Sequence, residues 1–282
     1  MSMDFGTISH RVLEAVCNGV YQGLIVAGLL ALAWRWTRGS NAATRYATGF
    51  AGLLIIAALP LVHLGKAFWP QLPPQSLEAA LPSPEPMQSF VPAAAVSLPP
   101  DAGLEEPLPA PEAAAPWEII VPSYLSAGLV AAWLVIAALR FAALARQCAA
   151  LRGIKHGSIP ALPEARARFE ALRTDMGVRR PVRLALSERV STPIAAGFLH
   201  PMVLIPEAFE QERPARLDAI LRHELAHVRR RDDWTNLAQQ AVQAFFFFHP
   251  GVRWLSSRLT VEREIACDDH AIASLSSRRD YA

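Results

Sequence analysis

The sequence predicts a mainly α membrane protein. Three transmembrane helices are followed by a cytoplasmic α+β domain, in which a small sheet lies beside a helix carrying an HExxH motif. Three observations carry this expectation. The 282 residues are 52% hydrophobic and only 18% charged, with a mean hydropathy of +0.22, whereas a soluble chain of this length carries more charge. The apolar excess is gathered into a few runs close to the length of a bilayer-crossing helix. From about residue 140 the pattern changes to the shorter punctuated elements of a globular unit.

The first apolar run covers about residues 16–36, the second about 46–62 and the third about 119–139, and none has a charge in its middle. A helix needs roughly 20 such residues to cross a bilayer. A cleaved signal peptide is a poor reading of the first run, because Asp4, Arg11 and Glu14 precede it in place of a basic leader. The arginines set the orientation. Arg35, Arg38 and Arg45 lie between the first two runs without an acid among them, and Arg140, Arg146, Arg152 and Lys155 follow the third. Positive charge stays on the cytoplasmic side, so the N-terminus is expected outside and everything beyond about residue 140 inside.

Residues 1–63 thus hold two N-terminal transmembrane helices, 64–117 an external loop, 118–140 the third transmembrane helix and 141–282 the cytoplasmic domain. The 64–117 segment contains 13 of the 23 prolines, interleaved with Ala, Ser and Glu. Such a composition buries too little apolar surface to offset its ordering entropy, which favours an extended linker. The net charge of +2 gives no global field for nucleic acid, and direct nucleic-acid binding is not expected. Cys17, Cys148 and Cys267 are far apart and odd in number, which fits neither a disulfide framework nor a thiolate metal site.

Within the cytoplasmic part, residues 162–176 place Ala165, Phe169, Leu172 and Met176 at helical spacing, with Gly177 as a stop. Short strand-like runs follow at 182–186, 194–198 and 202–205, punctuated by Pro193, Gly197, Pro201 and Pro206. Such a sheet, set just before a metal-binding helix, offers an edge for an extended substrate backbone, or equally supports the helix alone. Residues 217–230 then read as an amphipathic helix with Pro214 near its start.

That helix carries His223-Glu224-Leu225-Ala226-His227. Histidines four apart project one turn above each other from one face, which lets two ring nitrogens reach one Zn²⁺ at about 2.0–2.1 Å. Glu224 is offset around the helix, where it acts as general base on an activated water. A catalytic zinc needs a third protein ligand and an open fourth position. Val261–Asp269 reads as a second helix that shows Glu264 and Asp268 on one face. Glu264 is the leading third ligand, with Asp268 behind it to accept a histidine ring N–H. Glu262 and His249 remain rival ligands, and Cys267 reads as packing. The intervening segment, 236–255, is apolar but short for a span and carries three glutamines, so it is expected to lie against or dip into the bilayer.

The HELAH motif followed by Arg229-Arg230-Arg231-Asp232, then FFFFHPGVRWL and EREIACDD, resembles the BlaR/MecR-type membrane metallopeptidases, which include the β-lactam-sensing receptors. The stretch from Thr192 to Pro206 and the three-span layout also match. The resemblance implies zinc as cofactor, His223, His227 and Glu264 as its ligands, and Glu224 as catalytic base. It further implies self-cleavage, or cleavage of a cytosolic transcriptional repressor, in signalling tied to antibiotic resistance. In the receptors a further span leads to an external penicillin-binding sensor. This chain ends at Ala282 in what reads as a continuing helix, so either a fourth span lies beyond it, the favoured expectation, or the protein signals by other means. No SxxK acylation site appears in the external segment, so direct β-lactam sensing is not expected of these residues.

The expected protein is therefore an integral-membrane zinc endopeptidase whose partners are the lipid bilayer and a peptide or protein substrate. A homodimer is compatible with the sequence and is not specified by it. Two rivals stay open. One is a housekeeping membrane quality-control protease that shares HExxH and a later ExxxD. The other is a signalling scaffold that keeps zinc only for structure, which would need four protein ligands instead of an open position.

Overall fold

The computed structural model describes residues 5–36, 39–68 and 122–279. Most of the expected external loop, residues 69–117, lies outside them, as do residues 118–121. Three helices are long and apolar enough to cross a membrane: α1 (Phe5–Trp36), α2 (Ala42–Phe68) and α3 (Ser123–His156). Leu29, Leu61 and Leu139 each expose more than 60% of their surface. Apolar surface of that extent is stable only against lipid or another apolar face. This is a membrane protein.

Two of these helices outrun their expected ends. α2 continues through Leu64 to Phe68, into what the proline-rich composition predicts as loop, with Lys66 in its last turn, where the helix dipole favours a cation. α3 runs to His156, well past residue 140. The reason is local: residues 140–152 (RFAALARQCAALR) are nearly all strong helix formers, and nothing interrupts them before Gly157. The arginines expected to follow the span thus extend the same rod.

A four-stranded sheet and two packed helices form the globular part. β1 (Ile159–Pro160), β2 (Arg183–Leu186), β3 (Ile194–Ala196) and β4 (Met202–Ile205) stand in the order β1-β2-β4-β3. β2 and β4 are parallel, while β1 and β3 pair antiparallel with their neighbours, which leaves β3 on an edge. α4 (Pro163–Asp175) is closed by Gly177 at φ +65°, a backbone state open to glycine at little cost. Phe169 and Leu172 of α4, Val203 and Ile205 of β4, and Leu221 and Leu225 of α5 (Pro214–Arg230) form the core, together with Cys267.

α6 (Asp232–Phe245) and α7 (Pro250–Arg279) form a hairpin whose turn enters the membrane bundle. Phe246, Val252, Leu255 and Leu259 pack with Ala27 of α1 and with Leu53 and Ile56 of α2. Gly23 is required there, because a Cβ would run into the His249 ring and Ile56. His249 itself is 2% exposed, and its Nδ1 accepts the N–H groups of Gly251 (3.0 Å) and Val252 (3.3 Å). It caps α7. Pro250 opens this 30-residue helix, in a position where its missing N–H costs nothing. α7 contributes to both cores, through Cys267 in the globular one and Leu255 in the bundle.

Candidate metal centre

α5 is amphipathic, burying Leu217, Leu221, Leu225 and Val228 against the sheet and α4. That anchoring turns His223 and His227 toward α7. Their Nε2 atoms lie 3.2 Å apart, and each is 3.6 Å from Oε2 of Glu264. The three donor atoms lie within 4.8 Å of one another. Two nitrogens bound tetrahedrally at about 2.0–2.1 Å would themselves stand roughly 3.3 Å apart, so the spacing suits zinc.

The hydrogen bonds behind the rings fix which nitrogen faces the centre. Nδ1 of His223 donates to Asp268 Oδ1 at 2.8 Å, and Nδ1 of His227 donates to Asp232 Oδ2 at 2.9 Å. With both Nδ1 atoms protonated, both Nε2 lone pairs point at each other and at a carboxylate. Such a donor set is electrostatically satisfied by a cation. Burial alone would lower the His227 pKa, but the hydrogen bond and charge of Asp232, with Glu224 and Glu264, raise it overall.

Asp232 is the participant that sequence reasoning missed. Five residues after a helical histidine is off its face, so contact requires the chain to turn back. Arg231 makes that turn at φ +59°, ψ +38°, ending α5 and opening α6. A left-handed non-glycine residue costs roughly 1–2 kcal/mol and points to a local requirement. Here the requirement is placing Asp232, 4% exposed, under His227. Cys267, expected to be packing alone, is fully buried and also brings its S–H to 3.3 Å from Asp232 Oδ2. Burial, then the Asp232 charge, pushes its thiol pKa up, so it stays protonated.

Glu224 is 8% exposed at the rear of a cleft of about 400 Å³. Burial raises its pKa, partly offset by the two histidines and by the Ala195 backbone N–H that donates to it. Ala195 is the middle residue of edge strand β3, so one cleft wall is strand edge and the other is α5 with α7. A clasp holds the far end of that strand. Arg180 pairs with Asp233 at 3.2 Å and also donates to the Phe198 carbonyl, which Trp234 Nε1 reaches at 3.3 Å.

The rival ligands stand elsewhere. Glu262 pairs with Arg45 of α2 at 2.8 Å, and His249 caps α7 within the bundle. Of the residues expected at the site, His223, Glu224, His227, Glu264 and Asp268 all meet at one cleft.

Comparison with known proteins agrees with this constellation. One relative is the regulatory protein BlaR1 of Bacillus licheniformis, 26% identical over 110 residues. That alignment covers 39% of this chain and 18% of the relative's length. The family model described as BlaR1 peptidase M56 matches residues 84–282, most of the chain and all of the cleft. The chain belongs to the BlaR1 peptidase M56 family.

Proposed function

We propose that the chain is a zinc-dependent endopeptidase acting at the cytoplasmic membrane face. The observation that carries this reading is the convergence of three lone-pair donors, from His223, His227 and Glu264, beside one buried carboxylate. No fourth protein donor is grouped with these three among the described residues, which fits a catalytic better than a structural centre. A zinc ion held there supplies Lewis-acid polarisation of a scissile carbonyl and makes water easier to deprotonate.

The chain's own residues do the rest. Glu224 takes a proton from the attacking water and hands it to the departing amide nitrogen. Its burial, which raises its pKa, makes it a stronger base than a solvated carboxylate. The free edge of β3 pairs with an extended substrate backbone, and the small side chains of Ala195, Ala196 and Gly197 leave room beside it. Asp232 and Asp268 hold the two rings in register.

The family, and the relative that is a regulatory protein, favour a signalling role. In that role the enzyme cleaves itself or a cytosolic repressor. The arginine-rich segments 35–45 and 140–155 support a cytoplasmic position for the cleft. The test is zinc analysis and cleavage mapping of purified membrane protein, wild type against Glu224→Gln. The variant should retain zinc and lose about 10²–10⁴-fold in cleavage rate. Full cleavage by Glu224→Gln would refute the general-base role.

A further inference from the structure

A second polar cavity shares no lining residue with the metal centre and lies between two membrane helices and α7. It is a groove of about 750 Å³ between the C-terminal end of α1, the start of α2 and the middle of α7. Its floor, Gly28, Ala31 and Leu32, is apolar, and nothing lies within 4 Å of where a Gly28 side chain would begin. Its mouth carries three arginines, Arg35 from α1, Arg45 from α2 and Arg258 from α7. Trp34 and Trp254 form one wall, with ring centroids 6.0 Å apart.

The charges there are unbalanced. Arg45 is held by Glu262 at 2.8 Å. Arg35 and Arg258 are exposed and make no ion pair among the described residues. Three arginines against one glutamate leave two positive charges at the mouth of a cavity with an apolar floor. Seven residues separate Gly28 from Arg35, about 10 Å along a helix, the length of the upper part of an acyl chain. Guanidinium groups bind phosphate in a planar, paired geometry. Indole rings favour the boundary between hydrocarbon and water.

We infer that this groove binds an anionic phospholipid. Its phosphate lies between Arg35 and Arg258, and one acyl chain runs down over Leu32, Ala31 and Gly28. A soluble phosphate compound shares the charge but has no use for the apolar floor, and the groove opens on helices built to sit in lipid. The site is built by α1, α2 and α7, shares no lining residue with the metal cleft and does not depend on the peptidase reading.

The test is native mass spectrometry of the full chain released from vesicles of phosphatidylglycerol and phosphatidylcholine in equal amounts. Wild type should retain phosphatidylglycerol preferentially, and Arg35→Gln/Arg258→Gln should weaken that retention about 30-fold. Arg35→Lys/Arg258→Lys should restore most of it, and excess inorganic phosphate should not displace the lipid. If the double glutamine variant fails to fold, Gly28→Phe serves instead. It fills the floor at a position with open space and should cut retention while leaving every arginine in place. Equal retention of the two lipids by wild type, or unchanged phosphatidylglycerol retention in the glutamine and Gly28→Phe variants, would overturn the site. Displacement by inorganic phosphate alone would reassign it to a soluble anion.

Discussion

Asp232→Asn and Asp268→Asn make the same chemical change behind the two histidines, yet they should differ about tenfold in their effect on zinc affinity. Each carboxylate accepts one ring N–H, at 2.9 Å for His227 and 2.8 Å for His223. Distance does not separate them. Burial does: the Asp232 side chain is 5% exposed and that of Asp268 is 65% exposed. A hydrogen bond to a charged group out of water contributes about 1.5–3 kcal/mol, and an exposed ion pair about 0.2–1 kcal/mol. At 1.4 kcal/mol per factor of ten, removing the charge of Asp232 should weaken zinc binding roughly 10–100-fold, the range for outer partners of metal ligands. Asp268→Asn should cost about five-fold or less. Competition with a chromophoric zinc chelator on the purified membrane protein measures both, with circular dichroism to show that each variant is folded. Asp268→Asn weakening zinc as much as Asp232→Asn would refute the claim that burial sets the strength of these supports.

Glu264→Ala should strip most of the metal from the protein, and normal zinc content by mass spectrometry would return Glu262 and His249 to consideration although both stand away from the cleft. Arg231→Gly should leave zinc binding intact and raise thermal stability by about 0.5–1 kcal/mol, because glycine adopts φ +59° without the steric penalty; an unchanged or lower melting temperature counts against strain at that turn. Zinc should also be lost on acidification at a pH above that of an ordinary histidine site. Burial lowers the His227 pKa, but Asp232, Glu224 and Glu264 raise it further than burial lowers it, and a proton on Nε2 excludes the metal. In the zinc-free protein, the His227 ring titration followed by NMR should shift to lower pH in Asp232→Asn, and a midpoint that does not move would contradict that account.

Local rules made much of this fold legible. Periodicity and Gly177 mark α4 to within two residues, and proline and glycine punctuation brackets the three longer strands. The HExxH spacing and the i, i+4 pair Glu264 and Asp268 bring five site residues to one cleft, since each depends only on helical geometry. Asp232 escaped notice because its approach depends on one left-handed arginine, a backbone choice that no periodicity encodes. The Ala195 N–H escaped because which backbone groups face the cleft is set by β3 register against β4. The outward run of α3 to His156 was hidden for the opposite reason. Hydropathy marks where lipid ends, whereas helix propensity continues through arginine and alanine without regard to the bilayer.

The length of α7 ties the two parts of the molecule together. Its first residues sit in the membrane bundle under the His249 cap, Glu262 is held to α2 by Arg45, and Glu264 reaches the two histidines only two residues later. Further along, Cys267 returns the same helix to the globular core. A stiff helix rises 1.5 Å per residue, so a displacement of α1 or α2 against α7 is felt at Glu264 within a single turn of the Arg45 contact. The histidines, by contrast, are fixed on α5 by Leu221 and Leu225 within the globular core. Glu264 thus sits on a helix held in both cores, whereas the two histidines are held in the globular core alone. The 3.6 Å spacing from Glu264 to each ring nitrogen therefore depends on packing in the membrane bundle as well as in the globular core, because α7 also carries Asp268, which holds the His223 ring.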